Sequence, residues 1–437
     1  MLKIFHVADI HLDSPLKNLA AREGAPRERL MLATRRAVEN LVALAAEERP
    51  DVVVIAGDVF DGDWRDYQTG LFFLEQMRRL REQGVPVVAI RGNHDAASQM
   101  SLKLDWRGTV RFLAEDRAET VEAGDLGLDV PLVIHGRSFA SRAETANLAA
   151  GYPAAVPGVF NLGLLHTSLD GVEGHATYAP CTRDDLLRPG YDYWALGHIH
   201  KRAVHDLDGP AGPRAVFPGN LQGRHVRENE PKGLMIVTWD GKTGVTLDLR
   251  ELDVARWHDV TATVPADAGF EEAVQAGRAE LERLAHAAPG HLHAVRMRFV
   301  GATAANGAIR RGIDRLRAEL DVEARELADD RLWLESVRVA TTEPRGAAVD
   351  HGPVWATLTA VLAELRREPG GLAKLVQEDG DLAKLIGKLP ADLMAAPDSG
   401  GAEVSPLLAV LADGGAGEDA LAAEALALLE SRLTEEG

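Results

Sequence analysis

The chain has 437 residues, 46% of them hydrophobic and 26% charged, and a formal net charge of −19. At about 150 residues per domain, that length implies two or three domains of ordinary globular composition. The acidic balance argues against a protein that coats nucleic acid through a basic surface, though a local site can draw its positive charge from metal ions. The single cysteine, Cys181, excludes an intramolecular disulfide and a thiolate zinc cluster.

No apolar run reaches the ~18 residues that span a bilayer. The N-terminal residues lack the charged lead and small-residue cleavage pattern of a signal peptide, so a cytoplasmic protein with no membrane partner is expected. Along the chain, Ile4 to Ala8 is a short apolar run. Arg27 to Glu48 has helical periodicity through Leu30, Ala33, Ala37, Leu41 and Leu44. Asp51 to Ala56 is short and β-branched, as a buried strand is; a helix at Tyr67 to Arg81 and a strand at Val85 to Ile90 follow. This alternation is the signature of a layered α/β domain.

From Thr109 to Leu252 strands dominate, with candidates at Leu132–His135, Asn161–Leu165, Tyr191–Leu196, Ala215–Phe217, Leu234–Trp239 and Val245–Leu249. They are expected to form a second sheet packed on the first. The pattern then changes. Strand-like Trp257–Val264, helical Phe270–Ala287, strand-like His291–Val300, helical Ala305–Leu320 and strand-like Leu332–Ala340 predict a small α+β domain. Beyond Pro344-Arg345-Gly346, helical spacing recurs at Val354–Arg367, Leu372–Leu385 and Ala420–Leu433. The expected division is a domain of residues 1–254, an α+β cap of 255–343 and a helical C-terminal region of 344–437.

Five times, an apolar run ends in residues able to bind metal: Asp9-Ile10-His11, Gly57-Asp58, Arg91-Gly92-Asn93-His94-Asp95, His166 and Gly197-His198-Ile199-His200. In an α/β sheet the carboxyl ends of the strands share one edge, so segments distant in sequence become neighbours there. Each piece alone reads more simply as a turn or a hydrogen-bonded core residue. Together, carboxylate, imidazole and amide oxygen suit a borderline-to-hard divalent ion. The seven residues Asp9, His11, Asp58, Asn93, His166, His198 and His200 are too many for one tetrahedral site and suit two metals sharing a carboxylate. Gly57, Gly92 and Gly197 each precede a ligand, where the turn out of a strand can require a positive φ. His6 and His135 read as structural, and Trp194 as core.

This motif series resembles that of calcineurin-like metallophosphoesterases, and within them the SbcD class of DNA repair nucleases. The stretches Ala8-Asp9-Ile10-His11-Leu12-Asp13-Ser14-Pro15 and Pro218-Gly219-Asn220-Leu221-Gln222-Gly223-Arg224-His225 are most similar to the bacterial YhaO branch. The resemblance implies a two-sheet α/β sandwich. It implies that Asp9, His11 and His200 bind one metal, Asn93, His166 and His198 the other, and that Asp58 bridges. His94 matches a catalytic histidine that lies over the scissile phosphate. Nucleases of the archaeal and eukaryotic branch carry a histidine where this chain has Asp61, so that residue's role does not transfer. Mn²⁺ is the implied metal, and Fe²⁺, Zn²⁺ and Mg²⁺ also suit the donor set.

The function expected is hydrolysis of phosphodiesters by a metal-activated water, with no Ser or Cys nucleophile. The resemblance makes the chain a DNA exonuclease or endonuclease subunit of an SbcCD-like repair complex. Its implied partners are DNA, an SbcC-like coiled-coil ATPase held by the C-terminal region, and a second copy in a homodimer. The rival readings are a phosphodiesterase or phosphatase acting on nucleotides or other small phosphoesters, and a docking subunit. Asp95 is expected to orient a ligand through a hydrogen bond. Arg91, Arg224 and His225 are candidates for phosphate contact, with salt bridges or structural roles as the alternatives.

Overall fold

The run Val-Val-Val-Ile-Ala at Val52–Ala56 is buried on both faces, and the layers are built around it. The computed structural model describes residues 1–14, 24–62, 67–96, 104–106, 108–171, 177–209, 212–242, 244–288 and 290–344. The expected helices between Val354 and Leu433 lie outside these residues. In chain order come β1 (Leu2–Val7), α1 (Arg27–Met31), α2 (Ala33–Glu48), β2 (Val52–Ala56), α3 (Gln68–Glu82), β3 (Val87–Ile90), α4 (Asn93–Ala96) and β4 (Arg111–Phe112). There follow β5 (Glu119–Glu122), β6 (Leu132–Gly136), β7 (Phe160–His166), α5 (Arg183–Leu187), β8 (Tyr193–Gly197), β9 (Ala203–Asp206), β10 (Arg214–Phe217), β11 (Gly233–Trp239) and β12 (Val245–Glu251). The last elements are β13 (Ala255–Thr263), α6 (Phe270–Ala287), β14 (Leu292–Ala302), α7 (Asn306–Arg311), α8 (Ile313–Ala328) and β15 (Leu332–Thr342).

One six-stranded sheet has the order β12-β11-β1-β2-β3-β4, a second β5-β6-β7-β8-β10-β9, and a three-stranded sheet β13-β14-β15. Successive strand side chains point to opposite faces, and β2 shows the consequence. Val52, Val54 and Ala56 join a core with Ile134, Leu162, Leu164 and Ala195 of the second sheet. Val53 and Ile55 pack with Ala37, Leu41, Ala45, Phe73 and Met77 of α2 and α3. A strand covered on both sides has no use for polar alternation, which is why β2 reads as a continuous apolar run.

The predicted helix at Arg27–Glu48 is interrupted for one residue at Leu32, the C-cap of α1 and N-cap of α2. The predicted helix at Ala305–Leu320 divides at Gly312 and runs on to Ala328. Its buried residues Leu316, Leu320, Ala324 and Ala328 keep the four-residue spacing that fixes one helical face. Gly312 itself lies where a Cβ would meet the Phe270 ring at 2.9 Å. Short β4, β5 and β9 and the five-residue α5 were not anticipated. Their two to five residues are too few to show a period.

Two compact units are distinguished. The first comprises Met1–Val260, Ala279–Met297 and Asp321–Ser336. Besides the two large sheets it holds a small cluster of Leu30, Ala33, Ala255, Trp257, Leu292, Ala294 and Trp333. The second comprises Thr261–Arg278, Arg298–Leu320 and the described residues from Val337 onward. Within it the Arg315 guanidinium lies 4.3 Å above the Phe270 ring. The Asn306 side chain donates to Glu343 at 3.0 Å and accepts from the Thr341 hydroxyl at 2.8 Å.

Candidate dinuclear metal centre

Parallel pairing of β1 with β2, β2 with β3, and β7 with β8 sends the five motif loops to shared sheet edges. The loops after β1 and β2 are laced together. Asp9 N–H donates to Gly57 O (3.1 Å), His11 N–H to Asp58 O (3.0 Å) and Leu12 N–H to Val59 O (2.9 Å). Four of the motif residues are themselves left-handed: Asp9 (φ 50°), His11 (45°), Asp58 (52°) and His198 (100°). That conformation costs an L-residue roughly 1–2 kcal/mol, and its concentration here marks a site held under constraint.

The glycines serve the site differently from expectation. Only Gly57, at φ 89°, takes the left-handed turn. Gly92 and Gly197 supply space instead: a Cβ at Gly92 would lie 2.2 Å from Asp58 Oδ1, and one at Gly197 1.9 Å from Ala56 O.

Asp9, His11 and His200 form one cluster, His11, Asp58 and His94 a second, and Asp9, Asp58 and His166 a third. Within each, one ligand-capable atom per residue lies within 4.8 Å of the others. Asp58 Oδ2 is 3.5 Å from His166 Nε2 and 3.9 Å from His11 Nε2, between the two groups. Asn93 Oδ1 is 3.0 Å from His166 Nε2. His198 stands apart from these clusters. Its backbone N–H donates to both Asp9 carboxylate oxygens (3.1 and 3.0 Å), and its ring lies 5.4 Å from that of His166.

The proton positions decide whether these groups fit a metal. His166 Nδ1 donates to Ala56 O at 2.9 Å, so its Nε2 carries a lone pair, yet it faces the Asn93 oxygen, another acceptor. His200 Nδ1 donates to Glu228 Oε1 at 2.6 Å, which leaves a lone pair on Nε2, 3.0 Å from His11 Nε2. His11 Nδ1 lies 3.5 Å from Asp61 Oδ1. Lone pairs converge, each backed by a carbonyl or carboxylate on the far side of the ring, as on metal-binding histidines. Burial, with the charge of Asp58, raises the Asp9 carboxyl well above the usual carboxylate range, and burial raises Asp58. Two shielded carboxylates amid unprotonated imidazoles are costly without a cation and suited to divalent ones.

His94 is held by the residue that departs from the archaeal pattern. Its Nδ1 lies 2.7 Å from Asp61 Oδ1, and its backbone N–H donates to Asp58 Oδ1 at 2.9 Å. Burial opposes protonation of this ring, but the Asp61 hydrogen bond and the Asp58 charge hold it above the ordinary histidine value. Asp61 also accepts from Ser14 Oγ at 2.6 Å. Burial works against its ionised form, but the neighbouring His11 and His94 rings, with the Ser14 hydrogen bond, lower its pKa below the usual range.

The calcineurin-like phosphoesterase family matches residues 2–202, which contain every residue of these clusters. Residues 2–202 are a calcineurin-like phosphoesterase domain. The middle domain of metallophosphoesterase YhaO matches residues 257–342. The chain is 37% identical over 236 residues to the uncharacterized metallophosphoesterase YhaO of Bacillus subtilis, covering 54% of this chain and 57% of that one. It is 28% identical over 279 residues to the DNA double-strand break repair protein Mre11 of Methanopyrus kandleri, covering 58% of each. The chain thus spans under two thirds of the length of these curated relatives. A solved dimetal phosphatase from Danio rerio has a TM-score of 0.35 and 13% identity over 57% of this chain and 96% of that one.

Around the phosphoesterase centre the remaining candidates separate. Asp95 touches backbone rather than a ligand side chain, accepting from the N–H groups of Val59 (3.1 Å), Phe60 (2.9 Å) and Gly92 (3.3 Å). It thereby joins the segment after Asp58 to the one before Asn93. Arg91 is engaged elsewhere, 2.7 Å from Glu115 and stacked 4.8 Å over the Phe112 ring. Arg224 lies against the centre, its Nη2 3.2 Å from His200 Nδ1. His225 is exposed, with Nε2 3.5 Å from Glu228 Oε1.

His6 and His135 are structural: His6 bonds Tyr193 and Leu196, and His135 bonds Thr120 and Asn161. Trp194 is fully buried and donates to Leu186 O. The residue that sequence reading missed is Glu228, 5% exposed, which joins His200 to the loop carrying Asn220 and Arg224. It sits in the charged run Arg227-Glu228-Asn229-Glu230, which reads as a solvated loop and gives no signal.

Proposed function

We propose that this chain is a dinuclear metal-dependent phosphodiesterase. The observation that carries the reading is Asp58, buried between His166 on one side and His11 on the other, with Asp9 and His200 completing the group. Asp9, His11 and His200 would hold one ion, Asn93, His166 and His198 the other, with Asp58 shared. Two divalent ions bound there supply Lewis-acid activation of water and neutralise phosphate charge. The His198 ring lies beside that of His166, 5.4 Å between centroids, which places it on the side of the second ion.

The chain's own groups then do three things. The left-handed loops hold carboxylates and imidazoles in a fixed array before substrate arrives. Asp61 fixes the His94 ring and keeps a proton on it, so that His94 can donate to the leaving alkoxide or to a phosphate oxygen. Burial of Asp9, His11, Asp58 and His166 keeps bulk water from the ligand atoms. Cys181 is buried, with burial pushing its thiol up to about 11, which disfavours it as a nucleophile.

Likeness to Mre11 proteins over 58% of the chain favours DNA as the substrate and a nuclease subunit of an SbcCD-like complex as the role. Residues 257–342 match the YhaO middle domain; on this reading we give them the contact with DNA, and the region beyond them the docking of an SbcC-like ATPase. Mn²⁺ is the metal the family resemblance favours, and the mixed set of imidazole, carboxylate and amide donors also suits Fe²⁺, Zn²⁺ and Mg²⁺. The net charge of −19 favours the second reading, a diesterase of nucleotides or other small phosphoesters. Incubation of the Mn²⁺-loaded chain with labelled single- and double-stranded DNA, beside nucleotides and simple phosphodiesters, separates the two. Hydrolysis of DNA supports the first, hydrolysis of small diesters alone the second, and hydrolysis of neither refutes both.

A further inference from the structure

Arg224 is a cation that the fold brings to the centre and, among the described residues, pairs with carboxylates only at long range. Its side chain is 16% exposed. A guanidinium offers five N–H donors, and here they are poorly met. Nη1 donates to the neutral Ser14 hydroxyl at 3.2 Å. The carboxylates near it are distant for a charge-assisted bond: Glu228 Oε1 lies 3.5 Å from Nη2 and Asp61 Oδ2 4.0 Å from Nη1. The 3.2 Å approach of Nη2 to His200 Nδ1 is no hydrogen bond, because that nitrogen gives its proton to Glu228. Nε is shielded from solvent and has no hydrogen-bond partner among the described residues.

The position of this charge is nevertheless fixed. Glu228 Oε2 accepts the Arg224 backbone N–H at 2.7 Å and the Asn220 side chain at 2.9 Å, while Oε1 holds His200. The same carboxylate therefore sets a metal-ligand candidate and the arginine. On the other side Ser14 links the guanidinium to Asp61, which holds His94. A planar, permanently charged fork thus stands between His200 and the His94 pair with donors to spare. Such a fork matches two oxygens of a phosphate.

We propose that Arg224 binds the substrate phosphate under attack, through its non-bridging oxygens, as a catalytic residue acting beside His94. The proposal rests on the phosphoesterase reading above and adds to it the group that seats the phosphate. Losing a hydrogen bond between charged partners costs about 10- to 100-fold in affinity.

The test uses the full chain loaded with Mn²⁺, as wild type, Arg224→Gln and Arg224→Lys. Manganese affinity, inorganic phosphate affinity by calorimetry, and hydrolysis of bis(p-nitrophenyl) phosphate are measured for each. The expected result is unchanged manganese binding and phosphate binding weakened about 10- to 100-fold in Arg224→Gln, with KM raised and partial recovery in Arg224→Lys. Phosphate affinity equal to wild type in Arg224→Gln overturns the proposal. So does loss of manganese from that variant, which would make the arginine a strut for His200. If the wild type binds neither manganese nor phosphate, the phosphoesterase reading fails instead.

Discussion

Replacing Glu228 by glutamine tests how the centre is held from outside. The 2.6 Å contact between His200 Nδ1 and Glu228 Oε1 is a short, charge-assisted bond that keeps the proton on Nδ1 and the lone pair on Nε2. The other oxygen accepts from Arg224 N–H at 2.7 Å and from Asn220 at 2.9 Å. Glutamine has one acceptor oxygen for these two sides. If the oxygen serves Arg224, the amide NH₂ confronts the Nδ1 proton, and the ring must shift its proton to Nε2, where a metal would bind. If it serves His200, the loop loses its anchor. Removing such a partner typically weakens metal binding 10- to 100-fold, about 1.4–2.7 kcal/mol. Calorimetric titration of metal-free protein with Mn²⁺ reads the effect, with thermal unfolding of the same metal-free samples showing that the fold persists. Manganese affinity within twofold of wild type in a folded Glu228→Gln protein would refute the reasoning.

Three further outcomes follow from the geometry. His94→Ala should keep both metals and lose about 10²- to 10⁴-fold in turnover, measured by metal analysis and diester hydrolysis together; a variant that has lost its metals but regains full activity on refilling would contradict the role. Gly92→Ala forces a Cβ to 2.2 Å from Asp58 Oδ1 and should displace that carboxylate, so metal binding falls even where unfolding shows a native-like transition. Wild-type manganese affinity in this variant would show that Asp58 is not confined as described. His6 lies deep in the core, where burial lowers its pKa from 6.5 to about 3 against the Leu196 hydrogen bond. The unfolded chain then binds the proton first as pH falls, so stability is full above pH 6.5 and declines below it, by ~1.4 kcal/mol per pH unit for one proton. Denaturant unfolding at pH 7 and pH 5 should show a smaller loss in His6→Gln than in wild type, and equal losses would contradict this assignment.

Much of the site was legible in the sequence because β2 and β3 are short and apolar and deliver polar residues at their ends. In a parallel arrangement those ends share an edge. Asp9 and Asp58 are neighbours because β1 pairs with β2, whereas His166 joins them because the second sheet packs on the first, as the apolar runs also lead one to expect. Glu228 was invisible because its partner is defined by a loop that returns from Asn220, and no periodicity records such a return. The role of Asp61 was hidden for another reason: its partner His94 lies 33 residues further along the chain and is brought to it only by the fold. Gly92 and Gly197 read in the sequence as turns that can require a positive φ, yet the decisive quantity is the distance to Asp58 and Ala56 across the site. Turn propensity is local, whereas close approach belongs to the tertiary fold.

The central claim is that Asp58 is shared by two metal ions, and anomalous diffraction from crystals grown with Mn²⁺ addresses it directly. Two manganese peaks separated by ~3.5–4 Å, with the Asp58 carboxylate touching both, His11 and His200 at one and His166 and Asn93 at the other, is the predicted result. A single peak, or two peaks with Asp58 in contact with neither, would contradict it.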